Sequence, residues 1–101
     1  MNRYLFNERT HKMKAVITVT GKDAMGIIAK VANNCADCGA NIVDISQSVL
    51  DDYFAMIMLV DIDALKIPFT EFVDKMTELG NASGLVIQTM HEDIFSAMHS
   101  I

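Results

Sequence analysis

The chain has 101 residues, 51% of them hydrophobic and 21% charged, with a formal net charge of −5. That is enough for one globular domain with a single modest core; it is too apolar for a disordered chain and too acidic to neutralise a phosphate backbone, so nucleic acid is excluded as a partner. No apolar run approaches the roughly eighteen residues of a membrane span, no signal-peptide pattern opens the chain, and two cysteines spaced as CxxC make no disulfide framework, so a reducing, cytoplasmic setting is expected and no membrane.

Residues 1–12 show no sustained hydrophobic period. They read as a leader or tag-like segment, with the domain proper running from 13 to 101. Lys14–Thr20 is a strand signal rich in β-branched residues, with Ala15, Ile17 and Val19 on one face and Val16, Thr18 and Thr20 on the other. A helix is expected from Ala24 to Cys38, its stripe Ile28, Val31, Ala32 and Cys35, with Gly39 just past its end.

Between strand and helix lies Gly21-Lys22-Asp23-Ala24-Met25-Gly26. A loop that opens a helix aims backbone N–H groups and the positive end of the helix dipole at one point, which suits an anion such as a carboxylate. Asp23 has two readings: it caps the helix, or it catches the ammonium of a small ligand. Gly26 is either a small residue of the first turn or, lacking a Cβ, a place where ligand atoms approach the backbone.

Asn41–Leu50 alternates, with Val43, Ile45, Gln47 and Val49 opposed to Asp44, Ser46 and Ser48, and Asp51-Asp52 marks a turn. Tyr53–Ile62 is apolar on both faces and must be covered on both. Pro68 opens a second helix with the stripe Phe69, Phe72, Val73, Met76 and Leu79, stopped at Gly80. Asn81–Gly84 reads as a loop, Leu85–Met90 as a strand, and Ile94, Phe95, Met98 and Ile101 as the stripe of a short helix. The order is βαββαβ plus a terminal helix. Right-handed crossovers put both main helices on one face of an antiparallel sheet, an α+β, ferredoxin-like sandwich. The other face is then expected to carry Phe54, Met56, Met58 and Val60. A patch that apolar calls for cover, and a homo-oligomer, most simply a dimer, is the economical solution.

The chain resembles the small stand-alone ACT-domain proteins of bacteria and archaea. The resemblance covers about Met13–Ile101 and rests on Val19-Thr20-Gly21-Lys22-Asp23-Ala24-Met25-Gly26-Ile27-Ile28, on Asn41-Ile42-Val43-Asp44-Ile45-Ser46-Gln47, and on the tail His91–Ile101. ACT domains are regulatory modules that bind amino acids or similar small molecules, commonly between subunits. The resemblance therefore implies a ligand against Gly21, Lys22, Asp23, Ala24, Met25 and Gly26 and against Asn41 and Ile42. Met25 stands where a proline often precedes the second glycine.

Cys35-Ala36-Asp37-Cys38 ends a helix, where the dipole disfavours thiolate, so packing is the expected role and neither redox chemistry nor a metal. His91 and His99 have no evident nucleophile to serve and are expected at the surface or at an interface. The chain is thus expected to be no enzyme and to need no cofactor. It reads as a sensor for an amino-acid-like ligand, working as an oligomer. The alternative is a ligand-free adaptor docking a partner protein through its apolar sheet face.

Overall fold

The computed structural model describes residues 13–99. The leader assignment for 1–12, and Ile101 of the terminal stripe, fall outside them. Seven elements follow one another: β1 (Lys14–Gly21), α1 (Ile27–Cys38), β2 (Asn41–Leu50), β3 (Tyr53–Asp61), α2 (Phe69–Ser83), β4 (Val86–His91) and α3 (Glu92–Met98). The strands form one antiparallel sheet in the order β2-β3-β1-β4. This is the ferredoxin-like βαββαβ arrangement with a short C-terminal helix.

The core lies between the sheet and the two longer helices. From β1 it takes Ala15, Ile17 and Val19, from α1 Ile27, Val31, Cys35 and Cys38, and from α2 Phe72 and Met76. The α1 stripe therefore starts at Ile27; Ile28 is exposed. Residues opposite each other in an antiparallel ladder share a face. Ile17 pairs with Met58, Val19 with Met56 and Ala15 with Val60, so Met56, Met58 and Val60 are buried beneath the helices. Phe54, half-buried, packs against the same core, and the expectation that these four residues line the uncovered face is corrected. That face carries Ala55, Ile57 and Leu59 of β3, opposite Thr20, Thr18 and Val16.

Helix boundaries also shift. Gly80 does not stop α2, which continues to Ser83 and ends at Gly84 in the left-handed region (φ 70°). The expected Asn81–Gly84 loop is thus helical through Ser83. Gly80 sits where the helix meets β4: a Cβ built there would stand 2.8 Å from the Leu85 carbonyl oxygen and 2.9 Å from Ile87 Cγ1. Close packing, not termination, explains this glycine.

β2 forms the edge beyond the helices, and all ten of its residues are exposed. Its ladder with β3 steps from Ile42 opposite Val60 to Asp44 opposite Leu59, leaving Val43 as the extra residue of a bulge,. From Asp44 onward the alternation read from the sequence holds.

Candidate functional site

The Gly21–Gly26 loop leaves the end of β1 and enters α1. Its backbone is set by two glycines. Gly26 is the residue before the helix, with φ 76° and ψ 0° and no side chain capping the first turn. Its left-handed conformation disfavours any residue with a Cβ. Nothing lies within 4 Å of where that Cβ would be, so the space beside the helix entrance is open.

Asp23 is not the helix cap. The helix begins at Ile27, and Asp23 Oδ1 instead accepts the Met25 N–H at 3.3 Å. The carboxylate thus folds the loop upon itself. The Ala24 carbonyl accepts the Ile27 N–H at 3.0 Å, and the Gly26 carbonyl accepts that of Lys30 at 3.2 Å. This leaves Ile28 and Ala29 as first-turn N–H groups with no backbone partner among the described residues,. Met25 stands at the loop tip, 91% exposed. Gly21 lies under Leu85, whose side chain occupies the space a Cβ would need.

Lys22 ties the loop to the β2–β3 hairpin. Its Nζ is 3.7 Å from Asp52 Oδ2 and 5.3 Å from the centre of the Tyr53 ring. Both partners are exposed, so these contacts add little stability. They do place the hairpin tip beside the loop. Asp52, read from sequence as part of a turn, and Tyr53, read as the start of a strand, were not expected beside the loop, although the antiparallel β1–β3 pair puts the start of β3 at the end of β1.

Asn41 and Ile42 lie elsewhere. Asn41 is opposite Asp61, which is opposite Lys14 at the far end of β1 from Gly21. The length of β1, on the order of 20 Å, separates them from the loop. Within one chain the expected ligand residues therefore form two groups: Gly21, Lys22, Asp23, Ala24, Met25 and Gly26 at one end of the sheet, Asn41 and Ile42 at the other.

The remaining chemistry-bearing residues pack. Cys35 and Cys38 are free and buried. Burial, with the neighbouring Cys38, pushes the Cys35 thiol from 9.0 up to about 11, the opposite of activation. His91 is half-buried and stacked on Phe69 at 4.1 Å, and His99 is stacked on Phe95 at 4.2 Å. No three His, Cys, Asp or Glu side chains gather as a metal site among the described residues. No helix there is long and apolar enough to cross a membrane.

A family model described as an ACT domain matches residues 14–89. A UPF0237 protein of Listeria innocua is 43% identical over 89 residues, spanning 88% of this chain and 100% of its own. A UPF0237 protein of Methanocaldococcus jannaschii is 42% identical over 88 residues, 87% of this chain and 98% of its own. Among solved structures, an ACT domain protein from Streptococcus pneumoniae superposes with a TM-score of 0.73 at 43% identity, covering 88% of this chain and all of that one.

Proposed function

This chain belongs to the ACT domain family, whose members are in general small-molecule-binding regulatory modules, and from that premise we propose that it senses an amino-acid-like ligand at the Gly21–Gly26 loop of a dimer. The observation that carries this reading is the open space at Gly26, beside the N–H groups of Ile28 and Ala29, which have no backbone partner among the described residues. A carboxylate fits such donors, and the Asp23 carboxylate, exposed nearby, offers a partner for an ammonium.

The separation of Asn41 and Ile42 from the loop supports a dimer rather than opposing one. β2 is a ten-residue exposed edge carrying Ile42, Ile45, Val49 and Leu50, a surface that invites pairing with another strand. Two-fold antiparallel pairing of β2 with β2 sets the start of one strand against the end of the other. The end of β2 leads into the hairpin that Lys22 contacts. Asn41 and Ile42 of a second copy then lie at the loop end of the first, and the two groups form one composite site. Ligand trapped there favours the assembled state by its differential affinity.

The test begins with a thermal-shift screen of the full-length protein against the twenty amino acids, since a ligand of the native state alone raises the melting temperature. Calorimetry with the best ligand follows on wild type, Gly26→Leu and Asp23→Asn. Gly26→Leu is expected to abolish binding, by filling the open space and by straining the left-handed backbone at the helix entrance,. Asp23→Asn keeps an acceptor for the Met25 N–H yet removes the charge, and should weaken binding by about 1.5–3 kcal/mol. Unchanged affinity in both variants, or no ligand in the screen, overturns the reading.

A further inference from the structure

The sheet face turned away from α1 and α2 is laid out by the ladder register. Thr20 lies opposite Ala55 and Val86, Thr18 opposite Ile57 and Gln88, and Val16 opposite Leu59 and Met90. The third row is closed. Val16 is 3% exposed although it is no part of the main core, and α3 lies against β1 and β4. The other two rows stay open, with Ile57 45% exposed.

Between these rows and α3 runs a groove of about 360 Å³, within the roughly 300–1,000 Å³ of small-molecule sites. Ile57 and Met90 from the sheet face Phe95 and Met98 from the helix across it. Its polar groups come from threonine, glutamine and histidine, and among the described residues no Asp, Glu, Lys or Arg lines it. His99 Nδ1 donates to the Phe95 carbonyl at 2.9 Å. In the neutral ring Nε2 is then left as an acceptor.

We propose that this groove is a second binding site, for an uncharged, largely aromatic small molecule bearing a hydrogen-bond donor. Methionine sulfur and a phenyl ring favour an aromatic body, and His99 Nε2 with the Thr18 hydroxyl and Gln88 amide receives its polar end. A charged metabolite would shed its hydration here without a counter-charge. A peptide strand finds no ladder to join, because β1 and β3 are each paired on both sides,. The site is built from the face opposite the helices and does not depend on a ligand at the Gly21–Gly26 loop. It also gives α3 a purpose. The helix has seven residues and none is buried; a helix so short is unstable alone, and a molecule beneath it supplies the packing it lacks.

The probe is N-phenyl-1-naphthylamine, an uncharged aromatic amine with one N–H whose emission rises and shifts to the blue on leaving water. Titrated into the full-length protein, it is expected to bind saturably at one per chain. In Ala55→Phe, where an exposed residue of the groove floor is enlarged without touching the core, affinity should fall about tenfold or more while the circular dichroism spectrum is unchanged. Amide chemical-shift mapping on wild type gives a readout independent of any variant, with the shifts expected at Thr18, Ile57, Gln88 and α3. Gly26→Leu should bind the probe as wild type does. Non-saturating fluorescence, shifts that gather on the β2 edge instead, or equal affinity in a folded Ala55→Phe overturns the proposal.

Discussion

Ile17 and Met58 stand directly opposite each other in the β1–β3 ladder, and neither retains any exposed surface. This pair decides which face of β3 is internal. Met58→Ala should therefore cost about 2–5 kcal/mol, whereas Ile57→Ala, one residue along on the open face, should cost less than about 1 kcal/mol. Urea denaturation of both variants checks the order; equal losses would contradict the face assignment.

Gly80 gives the second prediction. Alanine is the better helix former by about 1 kcal/mol, yet its methyl would press on the Leu85 carbonyl and on Ile87. The backbone of β4 has little room to move, so the clash outweighs the propensity. Gly80→Ala is expected to lower stability by about 1–3 kcal/mol, read from the urea midpoint. A gain in stability would show that α2 and β4 can separate at no cost.

A third concerns Cys35, whose thiol is raised from 9.0 to about 11. The folded chain holds the proton more tightly than the unfolded one, so stability is fully present below pH 9 and falls as pH climbs toward 11. Melting temperatures recorded between pH 8 and 11 should drop more steeply for wild type than for Cys35→Ala. Parallel curves would remove Cys35 as the cause. In the native state at pH 8 both thiols should resist Ellman's reagent and react once the protein is unfolded.

The fourth follows from the exposed edge. Ile45→Lys puts a charge in the middle of β2, the standard protection of an edge against pairing. Sedimentation should find wild type as a dimer at micromolar concentration and the variant as a monomer with the same melting cooperativity. A monomeric wild type would remove β2 as an interface.

The topology was legible because β1 and β2 show strand faces two residues apart, Gly39 follows a helical run and Pro68 opens one. What misled was β3. Its residues are apolar on both sides, so a period of two fixes which residues share a face but not which face is inside. The register with β1 settles that, and register is a long-range property. The same limit applies to Gly80: chain position alone cannot tell a stop from a contact, and only the approach of β4 distinguishes them. At the loop, of the two readings of Asp23 only the helix cap fails, because helix starts are poorly marked when the residue before them has no side chain. The distance between the loop and Asn41 could not be read locally at all.

The central position of β1 bears on how the chain reaches this state. Its neighbours are β3 and β4, and Ala15 meets His91 only across nearly the whole length of the domain. The β2–β3 hairpin is local and can close early, but the most enclosed strand is made first and completed last. On a ribosome β1 would emerge with both its edges bare and wait until β4 followed. The slow step of folding is then the docking of the C-terminal strand, and α3, which lies against β1 and β4, can form no sooner.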